Sequence, residues 1–385
     1  MRSLTGHVQH YAWGSTDAIP AILGARPDGT PWAEYWLGAH RSAPSTLEGD
    51  GDLDAWLSRH PAELGEASRT AFGDRLSYLL KILSADQALS IQAHPSRDQA
   101  QAGFAAENEA GIALDAPERI FRDDWPKPEM IVALTPFDAL CGFRDVPTSL
   151  ELLAGLGPVE GLDELLAPLR TGTPQAGLAR VLTACLKPSE TQRRVIAELV
   201  ETCRARVEEN PVARTAVDLD RDHPGDPSIL AALLMNRVSL VPGQCLQLSA
   251  GTMHAYLRGT GIEIMASSDN VLRGGLTGKH IDVDALLALA DLSPQAVVGQ
   301  DPQRLAGGVD AYRTVFPEFG LWRLAGPVDA DLPASDLGRI VLVVEGSLTL
   351  ATTTLTAGRA VWVAAGECVH VRGDGLGFVA APGVG

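Results

Sequence analysis

Four segments of the chain concentrate side chains that bind metals and move protons. In LSIQAHPSRDQA, Gln92 and His94 stand two residues apart, so on a strand both point to one face. In WPKPEMIVAL, Lys127 and Glu129 share that spacing at the start of a strand-like run. The segment AGTMHAYLRGTGIEIMASSDNVLRGGLTGKH carries His254, Tyr256, Glu263, Asp269, Asn270, Arg273 and Lys279, while YAWGS and AEYWLGAHRSAPS add Trp13, Glu34 and Trp36. Two histidines, a glutamate and a glutamine are nitrogen and oxygen donors of the kind zinc accepts, with a position left for water or a substrate oxygen. Same-face Gln and His pairs also occur in strands that bind nothing, and a single histidine such as His254 is more often an ordinary partly buried side chain. Spacing alone supports a metal site without singling one out.

The elements that must position these residues are short strands interrupted by a helical block. Between residues 77 and 92, SYLLKIL and ALSIQ are apolar stretches split by a polar turn at 84–87, which reads as two adjacent strands. From 147 to 237 the pattern becomes helical. PSETQRRVIAELVETCRARVEEN sets Val195, Ile196, Leu199, Val200, Cys203 and Val207 on one face, opens with a capping box from Ser189 to Gln192, and is followed by Pro211. SLELLAGLG, LDELLAPL and SILAALLMNRV read as further helical pieces.

After Val238 the short strands return with an internal repeat. LVPGQCLQLSAGTMHAY (240–256) aligns with LTAGRAVWVAAGECVHV (355–371), each running Leu-x-x-Gly, a β-rich stretch, then Ala-Gly. Glycine at these points permits turns with positive φ, and paired strand-turn-strand units bury their faces by closing into related β-sandwich barrels. Val369 occupies the position of His254 in the second copy, which predicts a structural unit without that ligand.

At 385 residues the chain calls for two or three domains. Its formal net charge of -17 repels nucleic acid and anionic membrane, so neither is expected as a partner. The same field repels a phosphorylated ligand, which would need a local cluster of cations. Residues 1–20 contain no basic start followed by an apolar stretch, and no window has the apolar length of a membrane span. Cys141, Cys185, Cys203, Cys245 and Cys368 are scattered singly, against both a disulfide framework and a cysteine zinc site. A cytoplasmic protein is expected.

YAWGS, AEYWLGAHRSAPS, KILSADQALSIQAHPSRDQA, KPEMIVALTPFDALCGFR and the long segment ending GGLTGKHIDVDALL together resemble the type I mannose-6-phosphate isomerase family of the cupin superfamily, in family order from Tyr11 to about Leu287. The resemblance implies a mainly β fold with a helical insertion, made of two cupin-type β-barrel or jelly-roll domains plus an α-helical domain. The boundaries it implies are 1–146 with 238–287 for the metal-binding barrel, 147–237 for the helices and 288–385 for a C-terminal barrel without metal ligands. It implies one zinc ion per chain, held by Gln92, His94, Glu129 and His254, and a zinc-dependent interconversion of mannose 6-phosphate and fructose 6-phosphate through an enediol.

Within that reading Arg273 stands against the enediolate, and Glu263 and Lys127 are alternative proton carriers. Ser90, Lys81, Arg273 and Lys279 supply the phosphate contacts. Trp13 and Tyr256 wall the sugar, and Asp269 completes the substrate-binding set. A monomer acting on a small sugar phosphate is expected. Two departures stand out: Pro126 replaces the histidine that often precedes the Lys-Pro-Glu segment, and Arg41 replaces a usual proline, adding a cation near the pocket. The alternatives are an isomerase or epimerase of a related or non-phosphorylated sugar, for which four matched cations would have nothing to neutralise, and a non-catalytic sugar-binding cupin protein. A third is a double-barrel dioxygenase, which would favour a His-and-carboxylate triad without Gln92.

Overall fold

The computed structural model describes residues 1–384. They form two 10-stranded antiparallel sheets and a block of helices. The first sheet is organised by the long strand His254–Ala266. Its first residues pair with the strand Phe137–Phe143 and, at His254, with Gln92 of the strand Ile91–Ala93. A register irregularity between Tyr256 and Arg258 follows, and the remainder pairs with Tyr78–Ala85 on one side and Glu129–Ala133 on the other. Such an irregularity bends the strand, letting one element serve two parts of a curled sheet.

The SYLLKIL and ALSIQ stretches both supply strands, but these are not each other's partners. Each joins a different part of His254–Ala266 because their apolar faces have different destinations. Tyr78, Leu80 and Ile82 enter a core shared with the second sheet, whereas Ile91 and Ala93 pack into the core of the helical block.

That block contains the helices Val146–Ala154, Leu162–Leu166, Pro174–Leu186, Glu190–Arg204, Pro211–Asp222 and Ile229–Leu233. Glu190–Arg204 begins with the expected capping box and buries Val195, Ile196, Leu199, Val200 and Cys203. Val207 lies past its end. The MNRV end of SILAALLMNRV is not helical: Met235–Leu240 is a strand paired with Phe137–Phe143, where the Asn236 amide also donates to the Cys141 carbonyl at 3.1 Å.

The second sheet is built on Gly320–Asp331, Arg339–Leu350, Ala360–Val363 and His370–Ala381. The repeat has a structural counterpart. Cys245–Leu248 and Ala360–Val363 are the short strands, His254–Ala266 and His370–Ala381 the long ones. The turn glycines Gly251 and Gly366 have φ of 76° and 84°, the left-handed region that other residues avoid. Val369 packs among Val343, Val363 and Val371, so an apolar interior fills the position corresponding to His254.

Three short strands, Arg2–Thr5, Thr46–Leu47 and Gly51–Asp52, cross the domain division. Arg2–Thr5 pairs with Ala360–Val363, and Thr46–Leu47 pairs with it in turn, so the chain's beginning is built into the second sheet. The two sheets then pack face to face: Leu80, Ile82, Val132, Ile262 and Ile264 meet Ile340, Leu342, Trp362 and Phe378 in one apolar core.

Candidate active site

With alternate side chains of the first sheet buried in that core, the intervening ones face the other way. Glu34 and Trp36 on the strand Glu34–Gly38, Lys81 on Tyr78–Ala85, and Glu263 on His254–Ala266 all line a cavity of about 640 Å³. Register fixes their neighbourhood, since Trp36 lies opposite Lys81 and Lys81 opposite Glu263. Across the cavity His254 lies opposite Gln92, and Gln92 opposite Arg273 of the strand Leu272–Gly275.

His94, Glu129 and His254, all buried, bring ligand atoms within 4.8 Å of one another. His94 Nε2 lies 3.2 Å from one Glu129 oxygen and His254 Nε2 3.4 Å from the other. Both Nε2 atoms are enclosed without a hydrogen-bond partner. The Nδ1 atoms lie on backbone carbonyls, of Asn270 at 2.8 Å for His94 and of Thr252 at 2.9 Å for His254, which places the proton on Nδ1 and the lone pair on Nε2. Burial pushes the His94 imidazolium down to about 4, against the pull of Glu129. Burial works to raise the Glu129 carboxyl, but His94, Lys127 and the two imidazole contacts outweigh it and hold the group well below its usual range. Two buried lone pairs converging on an ionised carboxylate fit a divalent cation, and Gln92, opposite His254 and on the cavity wall, can supply a fourth donor.

Beside this centre runs a buried ion-pair chain. Lys81 Nζ donates to Glu263 at 2.8 Å and to Glu34 at 3.2 Å, and Glu34 accepts the Trp36 indole N–H at 2.8 Å. Burial works to lower the Lys81 ammonium, but Glu263, Glu34 and Glu129 outweigh it and hold it above its ordinary value. For Glu263 burial prevails, raising its carboxyl despite Lys81. Lys127 Nζ sits 3.1 Å from Glu129.

Residues 1–146 match the family described as "Phosphomannose isomerase type I, catalytic domain". The mannose-6-phosphate isomerase of Escherichia coli is 34% identical over 388 residues, covering 97% of this chain and 98% of that protein. The Salmonella typhimurium mannose-6-phosphate isomerase is 38% identical over 301 residues, 77% of this chain and 76% of its own. The chain belongs to the type I phosphomannose isomerase family. A crystal structure of a mannose 6-phosphate isomerase bound with zinc and yttrium superposes with a TM-score of 0.88 at 31% identity, over 99% of both chains. The apo form from Salmonella typhimurium gives the same TM-score and identity.

Against this family frame, Trp13, Lys81, Ser90, Gln92, Lys127, Glu129, Tyr256, Glu263, Asp269, Arg273 and Lys279 all line the one cavity, with His94 and His254 buried at the metal cluster. Two expectations change. Lys81 is enclosed between two carboxylates, so its charge is already neutralised and it is not a free cation for phosphate. Arg41 is exposed and absent from the cavity wall, so the departure at that position adds no cation there.

The structure also adds residues. Arg122 lines the cavity and, after burial itself, contributes to depressing both Arg273 and Lys279, the mark of cations gathered around one point. It lies in an irregular segment with no periodicity to read. Its place is fixed by Asn270, whose side-chain oxygen accepts the Arg122 backbone N–H at 2.7 Å, a contact across 148 residues that the sequence does not show. His40, buried, lies 3.2 Å from Asp269 through Nε2 and edge-on to Trp36.

Proposed function

We propose that this chain is a zinc-dependent aldose-ketose isomerase that interconverts mannose 6-phosphate and fructose 6-phosphate. The observation that carries the reading is the pair of orphaned, buried Nε2 atoms facing Glu129 on a cavity whose wall also bears the Lys81–Glu263 pair. We assign His94, His254, Glu129 and Gln92 as the zinc ligands. Bound there, zinc would act as a Lewis acid toward the sugar's carbonyl and hydroxyl oxygens.

The remaining work belongs to side chains. The reaction takes a proton from C2 and returns it at C1. Of the two carriers, Glu263 has the better claim: its pKa is raised by burial, and a carboxyl lifted toward neutrality both accepts and gives back a proton. Lys127 is engaged by Glu129. Lys81 orients the Glu263 carboxylate and balances its charge. Arg273, opposite Gln92 in register, is assigned to the negative charge that grows on the enediol oxygens. Arg122, Lys279 and Ser90 take the phosphate, the cluster an acidic protein needs to hold an anion. The Tyr256 hydroxyl, buried and without a hydrogen-bond partner, is left for a sugar hydroxyl, and Trp13 gives an apolar wall.

This reading carries a cupin-type assignment for the two sheet systems, the second without metal, and a single-chain cytoplasmic enzyme. All five cysteines are free and no helix among the described residues is long and apolar enough to cross a membrane. A coupled assay tests the central claim. Mannose 6-phosphate should turn over, chelation should abolish turnover, zinc should restore it, and unphosphorylated mannose should be a poor substrate. Chelator-insensitive activity, or equal use of mannose, would overturn it.

A further inference from the structure

Between the last two helices of the block, Pro211–Asp222 and Ile229–Leu233, the segment DHPGDPS, residues 222–228, grips the cavity wall at two places. Asp222 accepts the backbone N–H of Ala88 at 3.0 Å, and His223 Nε2 donates to the carbonyl of the same residue at 2.7 Å. Ala88 is thus held by both its polar backbone groups, two residues before Ser90 in sequence. Farther on, the buried Ser228 accepts the backbone N–H of Leu276 through Oγ at 2.7 Å and donates to Asp226 at 2.6 Å.

The second grip holds unusual backbone. Leu276 is a buried leucine with φ of 52°, a conformation leucine keeps only where its surroundings enforce it. Gly275 before it has φ of 126°, and a Cβ there would fall 2.2 Å from Ser228 Oγ. The strand Leu272–Gly275 therefore ends in a turn shaped against Ser228, and the next residues, Thr277, Gly278 and Lys279, line the cavity.

We infer that residues 222–228 are a positioning clamp through which the helical block sets the phosphate end of the cavity, holding Ser90 through Ala88 and Lys279 through Leu276. Ser228 is off the cavity wall and His223 on it, and both are positioning residues here, acting through Leu276 and Ala88. The inference rests on the assignment of Lys279 and its neighbours to the phosphate, and it gives the helical block a part in ligand recognition that its apolar core does not.

The test uses the zinc-loaded full chain, with KM and kcat for mannose 6-phosphate and competitive inhibition by inorganic phosphate. Ser228→Ala should raise KM and the phosphate inhibition constant together by about 3- to 10-fold, with kcat changed by less than about twofold. His223→Phe should act in the same direction, and His223→Gln, which keeps an N–H donor, should stay near wild type. In a Lys279→Ala background Ser228→Ala should add less than about twofold, because the cation it places is gone. A fall in kcat with KM and phosphate inhibition unchanged, or full additivity with Lys279→Ala, would overturn the clamp. If Lys279→Ala leaves phosphate inhibition unchanged, the phosphate assignment itself is wrong. If it weakens inhibition while Ser228→Ala and His223→Phe do not, the clamp alone is wrong. Should Ser228→Ala fail to fold, the His223 pair decides.

Discussion

Glu263 and Lys81 form the most consequential pair in the cavity, because each is buried and neither is neutral without the other. Losing Glu263 leaves the buried Lys81 paired with Glu34 alone. Glu263→Gln keeps the shape and removes the proton acceptor. It should lower kcat by about 10²- to 10⁴-fold while zinc, counted by elemental analysis, stays near one per chain. Retained turnover would move the proton transfer to another group. His94→Ala should do the opposite first, emptying the metal site, with turnover lost as a result. The metal-free protein should also lose stability in mild acid. His94 has its folded pKa depressed to about 4 from 6.5, so below pH 6.5 the unfolded chain binds a proton that the folded one refuses. Stability therefore falls as pH drops from about 6.5 toward 4, by roughly 3 kcal/mol from this group if nothing compensates. Thermal melts of metal-free protein between pH 7 and pH 5 would show it, and a flat Tm across that range would not fit.

At the scale of elements, the two-residue spacings were the readable signal. Gln92, Lys127 and Glu129 line the cavity and His94 reaches Glu129, although His94 and Lys127 stand just outside the strands Ile91–Ala93 and Glu129–Ala133. What spacing could not show is which strands lie side by side. Glu263 and Lys81 are 182 residues apart in sequence and meet only because His254–Ala266 pairs with Tyr78–Ala85 in one register. Lys81 accordingly looked like a free cation, its neutralisation depending on that pairing. Helical periodicity was legible where a helix packs one face, as in Glu190–Arg204, and misleading at Met235–Leu240, where an apolar run continues past a helix into a strand. The capping box at Ser189 gives an element-scale prediction. Ser189→Ala removes an acceptor for the Gln192 N–H and should cost about 1 kcal/mol of stability, read by denaturant melts, with KM unaffected.

For the whole molecule, the repeat foretold two related units, but not that they share a core, nor that strands from residues 1–52 join the second sheet. The continuous apolar layer through Ile82, Val132 and Ile264 to Leu342 and Phe378 ties the second sheet to the back of the sheet that carries the site. The second unit thus backs the wall on which Lys81, Glu129 and Glu263 stand, without adding chemistry of its own. Removing residues 1–5 strips Arg2–Thr5 from the edge of Ala360–Val363 and uncovers unpaired backbone beside buried Val361 and Trp362. The shortened chain should aggregate, seen in size-exclusion chromatography as a shift of material to the void volume. An unchanged elution profile would mean the strand is dispensable.

That same strand has a consequence in time. More than 350 residues separate Arg2–Thr5 from its partner Ala360–Val363, which leaves the ribosome correspondingly later. At about 5–20 residues per second, the two are separated by tens of seconds of synthesis. Through that interval Leu4 can lie only against Leu47 and its neighbours, and the second sheet closes once Ala360–Val363 has emerged. A chain stalled before Ala360–Val363 is left with one side of Arg2–Thr5 as an open seam.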